Sequence, residues 1–282
     1  MKKRNFLIFL STTLIIVLAF ALFIVIKDYN AKQVLKGDPL VFEDKIFEKS
    51  LKQALGKEDS ENIYKLELDS YVGIVIAANR IFLVSPTIAE QNVGLYGGEK
   101  FEINATLYIE EGTIKSLADV KYFPNLTNLK IYFQKNIDYN TIGVLPNINN
   151  LSLYADDINN LTFIEGLANI AYLNFNYNKI ENLSPLKNLT KLKTAAISNN
   201  NISDITGIEA LTTLVNLQLN DNKISDISKI SSLTNLTYLS LQNNNITDVS
   251  PLKDLKNLEN LFIKTNPITN IDSLNTLKII PE

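Results

Sequence analysis

The 282-residue chain contains no cysteine, no histidine and no tryptophan. Without Cys or His there are no thiolate or imidazole metal ligands, no Cys nucleophile, no Ser-His-Asp relay and no structural disulfide. Lack of cysteine suits an exported bacterial protein and a cytosolic one equally, so it leaves the redox compartment open. Positive charge is also scarce. Lys and Arg number 27 against 30 Asp and Glu, a net charge of −3, and three of the positive residues sit together as Lys2, Lys3 and Arg4. Phosphate neutralisation needs clustered Lys and Arg, so nucleic acid is a poor partner for the acidic remainder. Hydrophobic residues make up 46% and charged residues 20%, enough apolar mass for a substantial core and no bulk signature of disorder.

The basic cluster precedes an uncharged stretch from Phe6 to Ile26, softened only by Ser11, Thr12 and Thr13. A helix of about 20 residues spans roughly 30 Å, the thickness of a bilayer core. Ala19-Phe20-Ala21 resembles a signal-peptidase site, but Leu22 to Ile26 continues the apolar run with no polar c-region, which points to an uncleaved anchor. Basic residues before the span place the N-terminus in the cytoplasm and everything after Lys27 outside. The expected organisation is a cytoplasmic tail at 1–4, a transmembrane signal anchor at 5–26, a linker at 27–39, an N-terminal cap with an inserted hairpin at 40–104, and a repeat domain at 105–282.

From Leu107 onward one pattern returns every 22 residues. Its anchor falls at Leu107, Leu129, Leu151, Leu173, Ala195, Leu217, Leu239 and Leu261, and a second core residue follows two positions later at Ile109, Ile131, Leu153, Phe175, Ile197, Leu219, Leu241 and Ile263. Alternation at i and i+2 is a strand with one buried face. Five positions after the anchor stand Asn178, Asn200, Asn222, Asn244 and Asn266, preceded by Asp156, Gln134 and Gly112. Stacked amides there can satisfy the inward-facing backbone of the turn, forming a structural ladder. Ile180, Leu183, Leu186 and Leu189 recur at intervals of three, as do Ile202, Ile205, Ile208 and Leu211, a spacing suited to 3-10 turns. The expected fold class is α/β: a leucine-rich-repeat solenoid of eight copies, with a parallel concave sheet and a 3-10 or irregular convex side. The copy from Leu129 is the weakest, with Ile137 displaced by one, and a local distortion is expected there.

The segment LTNLTYLSLQNNNITDVSPLKDLKNLENLFIKTNPITNI, Leu233 to Ile271, resembles the 22-residue repeats of the internalin family of Gram-positive surface proteins, and VFEDKIFEKSLKQALG, Val41 to Gly56, is similar to the helical cap preceding such repeats. The resemblance implies a curved solenoid that binds a protein ligand on its concave side. No LPxTG motif occurs, and the chain stops at Pro281-Glu282 with no room for the immunoglobulin-like cap of that family. The membrane span would replace wall attachment. An open last repeat exposing Leu277, Ile279 and Ile280 makes self-association at the membrane a second reading. From the residues alone, Ile46, Phe47, Ser50, Leu51, Ala54 and Leu55 share one face of a helix ended by Gly56, with Glu48, Lys49, Lys52 and Gln53 on the other. Tyr71 to Val84 reads as a hairpin turning at Ala78-Asn79-Arg80, and Phe101 to Ile109 as a strand continuous with the first repeat.

Positions flanking each anchor point out of the sheet. They supply a candidate ligand-binding face of Tyr108, Lys130, Tyr132, Phe133, Tyr154, Tyr172, Asn174, Asn176 and Tyr177, with Tyr238 and Phe262 further along. Clustered solvent-facing aromatics are enriched at binding hot spots. Glu110 and Glu111 are adjacent carboxylates, but consecutive strand residues point to opposite sides, so a glycosidase pair is not expected. The column Asp204, Asp226 and Asp248, continued by Asn182 and Asn270, reads as caps of the following turns rather than a cation site. No enzyme activity, metal or cofactor is expected.

Overall fold

The computed structural model describes residues 38–71, 73–77, 80–84, 114–132, 134, 136–275 and 277. They form two units, one of residues 38–41 with 62–69, the other of residues 42–61 with those from Ser70 onward. In the smaller unit Leu40 N–H donates to the Ile63 carbonyl at 2.9 Å, and the short helix Lys65–Leu68 is opened by Tyr64, whose N–H donates to the Glu67 carboxylate at 2.7 Å.

The larger unit begins with helix α1, Lys45–Ala54. Asp44 starts it: one carboxylate oxygen accepts from the Ile46 and Phe47 N–H groups (2.8 and 3.0 Å), the donors a helix N-terminus leaves unpaired. The other oxygen accepts from Lys115 and Ser116 N–H (2.7 and 3.1 Å), while Asp119 accepts from Glu43 and Asp44 N–H (3.0 and 2.9 Å). Two carboxylates thus tie the cap to the first 3-10 turn, Ala118–Tyr122. The inner face of α1 is Phe47, Ser50 and Leu51, but it also includes Lys52, expected on the outside; Ala54, expected inside, is exposed. Lys52 buries its stem because its ammonium still finds the Asp59 carbonyl (2.8 Å) and Glu48 (2.9 Å).

Strands β1, Gly73–Ala77, and β2, Arg80–Val84, form an antiparallel hairpin with Ala77 opposite Arg80, so Arg80 belongs to the strand rather than to the turn. Seven short strands follow: β3 Asn128–Tyr132, β4 Asn150–Tyr154, β5 Tyr172–Asn174, β6 Thr194–Ala196, β7 Asn216–Gln218, β8 Tyr238–Ser240 and β9 Asn260–Phe262. The sheet order is β2-β1-β3-β4-β5-β6-β7-β8-β9, every pairing after the hairpin being parallel. Register places anchor beside anchor, Leu129 by Leu151, Leu151 by Leu173, and so on to Leu239 by Leu261. The fold is a leucine-rich-repeat solenoid, with a parallel sheet on one side, 3-10 turns such as Ser184–Asn188 and Ser228–Ser232 on the other, and a small helix at its N-terminal side.

The neighbour of β3 comes from the hairpin. β1 pairs parallel with β3, aligning Ile74 with Leu129 and Ile76 with Ile131, and both isoleucines are fully buried. GIVIA carries the alternation of a repeat strand, so it satisfies both the hydrogen-bond ladder and the core. Both edges of β3 are thereby taken, by β1 and β4. The copy anchored at Leu107 and the strand read from Phe101 lie outside the described residues.

Between sheet and turns runs a continuous aliphatic core. Leu173, Phe175, Ile180, Leu183, Leu186, Leu189 and Leu192 of one copy are each 2% exposed or less. Each such side chain contributes about 1.5–3 kcal/mol of burial, realised only when the next copy covers it.

Candidate functional site

Two hydrogen-bond ladders hold the sheet face in position. In the inner one each asparagine five after the anchor bridges two copies. Asn222 accepts from Ile202 N–H (3.0 Å) and donates to the Ile197 carbonyl one copy back and the Leu219 carbonyl of its own turn (both 3.1 Å). Asn178, Asn200, Asn244 and Asn266 repeat the arrangement, donating to the carbonyls of Leu153, Phe175, Leu219 and Leu241. The amides therefore bond backbone rather than one another. A second, part-buried ladder runs just past the strand ends: Asn176 Oδ1 accepts from Ser198 N–H (2.7 Å), Ser198 Oγ from Asn220 N–H (3.1 Å), and Asn220 Oδ1 from Gln242 N–H (2.9 Å). Sequence reasoning misses this second ladder, since Asn and Ser serve as acceptors interchangeably and leave no repeated letter.

The candidate face divides accordingly. Tyr132 and Tyr154 stand side by side on β3 and β4 with ring centroids 5.9 Å apart, and Tyr177 continues the row, 5.0 Å from Tyr154. Tyr172 and Tyr177 are 45% and 52% exposed. Lys130 is half-buried on the same face, and its desolvation lowers its pKa below that of an ordinary lysine. Asn174 and Asn176 are brought to the face too, but their carbonyl oxygens are committed to backbone, Asn174 accepting from Asn176 N–H at 3.1 Å and Asn176 from Ser198. Tyr108 and Phe133 lie outside the described residues, as do Glu110 and Glu111. A second aromatic pair, Tyr238 and Phe262 at 5.2 Å, lies on β8 and β9.

Backbone conformation singles out Tyr177. The position four after the anchor is left-handed along the row, with φ near +56° at Ala155, +60° at Tyr177, +58° at Asn199, +54° at Asp221, +52° at Asn243 and +60° at Thr265. Asn and Asp tolerate that region; a bulky aromatic there costs about 1–2 kcal/mol. Tyr177 thus adopts an unfavourable backbone and exposes its ring, the combination expected where a side chain is retained for contact rather than stability.

On the opposite side Asp204, Asp226 and Asp248 each accept from the N–H two residues on, at Thr206, Ser228 and Ser250 (all 2.8 Å), and Asn182 does the same for Ser184. Those bonds account for the acidic column as turn caps. Asn270 departs from it, accepting from Val249 N–H and donating to Asp248. Among the described residues no group of three or more acidic side chains could hold a metal ion.

Two copies, residues 234–276, match the sequence family described as Leucine Rich repeats (2 copies). No curated protein matches the chain by sequence. Among solved structures it is similar to an internalin C2 from Listeria monocytogenes (23% identity, TM-score 0.66, 86% of this chain and 95% of that one) and to an internalin, InlF, from the same organism (20%, 0.53, 88% and 98%). It is also similar to a plant peptide hormone receptor, RGFR1, in complex with RGF2 (25%, 0.50, 59% and 30%). At these identities the internalin likeness establishes the fold, a leucine-rich-repeat protein. No helix among the described residues is long and apolar enough to cross a membrane, and Phe6 to Ile26, on which that expectation rests, lies outside them.

Proposed function

We propose that this is a cell-surface, internalin-like binding module that takes a protein ligand on the outer face of its repeat sheet, held to a Gram-positive membrane by the segment Phe6 to Ile26 with the repeats outside. The observation that carries this reading is the row Tyr132, Tyr154 and Tyr177, rings in contact across three copies, its last member kept exposed in a left-handed backbone. Tyrosine brings large contact area with few rotatable bonds, which is why it recurs at binding hot spots. The solved receptor similar to this chain is complexed with a peptide hormone, consistent with the use of such a scaffold for polypeptide ligands. A non-enzymatic role accords with a sequence that has no Cys thiolate and no His imidazole to serve as nucleophile, base or metal ligand.

The test is capture by the 282-residue chain from a same-cell lysate and from a host-cell surface fraction, beside the double variant Tyr132→Ala/Tyr154→Ala. A protein retained by the wild type and lost from a variant with an unchanged melting profile supports the assignment. Equal capture by both overturns the site. Recovery of nothing but the chain itself points to the second reading, self-association.

A further inference from the structure

The inner ladder has a flawed rung at its Asp156 position. Asp156, 3% exposed, stands in the slot that Asn178 and its successors fill. It keeps the acceptor half of the pattern: Asp156 Oδ1 accepts from Gln134 N–H at 2.7 Å, as Asn178 Oδ1 accepts from Asp156 N–H at 3.0 Å. It lacks the donor half. Asn178 donates from Nδ2 to the carbonyls of Leu153 and Phe175 (2.7 and 3.1 Å), whereas Asp156 Oδ2 is buried without a hydrogen-bond partner. By the same spacing, the acceptors at its rung are the carbonyls of Ile131 and Leu153. An ionised carboxylate can only accept, and so can they. A protonated carboxyl has nearly the shape of the amide and can donate.

We propose that Asp156 makes the joint between the copies anchored at Leu129 and Leu151 proton-operated: protonated, it completes the rung as an asparagine does; ionised, it leaves the rung open. The titratable groups bearing on it are Tyr139, from the 3-10 turn Tyr139–Val144, and Asp157 next in the chain, itself paired with Lys179 at 2.9 Å. The Tyr139 hydroxyl is buried beside the carboxylate without reaching full hydrogen-bond geometry. Burial pushes Asp156 well above the usual carboxylate range, against the pull of the Gln134 N–H and the Tyr139 hydroxyl, and the Asp157 charge adds to the rise. Raised in the folded state, the group gives stability that is complete below the unfolded value and is lost as pH climbs through the folded one.

The joint is linked to the tyrosine row through Gln134. Asp156 holds Gln134 N–H, and Gln134 Nε2 lies 3.5 Å from the Tyr132 carbonyl. Protonation weakens the hold on the Gln134 N–H but supplies the donor that the carbonyls of Ile131 and Leu153 lack, and these residues directly precede Tyr132 and Tyr154 in the chain; acid therefore closes the rung at those strand ends, and rising pH opens it. A consequence for ligand binding rests on the function proposed above; the joint itself does not.

The experiment needs no ligand. The 282-residue chain in mild detergent, its Asp156→Asn variant and its Tyr139→Phe variant are compared from about pH 4 to about pH 8 by urea unfolding and by near-ultraviolet circular dichroism. With no tryptophan in the chain, that signal comes mainly from tyrosine. Wild type and Asp156→Asn should converge in acid and part as pH rises, the folding equilibrium favouring the variant about tenfold for each unit by which burial raises the carboxyl. The tyrosine signal should step with pH in the wild type and stay flat in Asp156→Asn. Tyr139→Phe removes a group that favours the carboxylate and should move the step to higher pH. Parallel stability curves for wild type and Asp156→Asn, or a step that survives in Asp156→Asn, would overturn the proposal. Because neither readout involves a ligand, failure of the tyrosine face as a binding site would leave both outcomes as they stand.

Discussion

Replacing Asn222 by alanine removes one complete rung of the inner ladder. The amide's two N–H groups serve three carbonyls, those of Ile197, Leu219 and Asn220, each at 3.1 Å, and its oxygen serves Ile202 N–H at 3.0 Å. Asn222 is 9% exposed, so water does not take its place. Each buried hydrogen bond is worth about 1 kcal/mol net, and each orphaned group adds desolvation, so Asn222→Ala should cost about 2–4 kcal/mol. Asn235 provides the comparison. It too donates to a carbonyl one copy back, that of Thr212 at 2.8 Å, but from an exposed position, and Asn235→Ala should cost under about 1 kcal/mol. Urea unfolding followed by far-ultraviolet circular dichroism measures both. Equal losses, or a loss at Asn222 below about 1 kcal/mol, would refute the claim that the buried amides, rather than any repeated asparagine, hold the copies together.

Tyr177→Asn should lower ligand capture while leaving stability equal or improved by up to about 1 kcal/mol, because relief at φ +60° offsets the lost ring contact. Thr265→Asn, at the same left-handed position in another copy, should stabilise by about 1 kcal/mol and leave capture unchanged; denaturation midpoints and binding isotherms separate the two effects. At the cap, burial alone would raise Asp44, but the N–H groups of Lys115, Phe47, Ser116 and Ile46 outweigh it and hold its pKa below the usual value. The stability it contributes is present above the unfolded value near 3.8 and is lost as pH falls toward the folded one. Asp44→Asn should accordingly cost about 1–2 kcal/mol at neutral pH, with the difference shrinking in acid, as read from melts of both proteins across the pH range.

The repeat was readable in the sequence because its signals are local and reinforce one another: anchors paired with a core residue two positions on, isoleucines and leucines at intervals of three, and an asparagine at a fixed offset. Among the described residues the structure places the anchors in the strands, the second core residues inside or just past them, Leu186 and Ile208 in 3-10 turns with the other three-spaced residues buried beside them, and Asn178, Asn200, Asn222, Asn244 and Asn266 at the ladder rungs. What was not readable depends on partners far apart in the chain or on a residue's chemistry at a shared position. Nothing near Gly73 announces that it pairs with Asn128, so the inserted hairpin gave no sign of supplying a repeat strand. Lys52 reads as an outward residue on a helical wheel, and only its neighbours Glu48 and Asp59 explain its burial. Asp156 reads as a near-equivalent of asparagine; the missing N–H matters only once the carbonyls around its slot are placed. On the face itself the Tyr132–Tyr154 column was legible from strand alternation; that Tyr177, beyond the end of β5, packs its ring on Tyr154 was not, nor was the use of the Asn174 and Asn176 oxygens by the backbone, since an exposed amide and a ladder amide look alike in sequence.

Site-directed photo-cross-linking on the intact 282-residue chain tests the central claim most directly. A photo-reactive phenylalanine analogue replaces Tyr172, 45% exposed on the sheet face, or Lys187, exposed in the 3-10 turn Ser184–Asn188 on the opposite side. Adducts to a distinct protein from position 172, absent from 187 and reduced by Tyr132→Ala/Tyr154→Ala, are the predicted result. Adducts to that protein from 187 and none from 172 would contradict the account, placing recognition on the turns instead of the sheet.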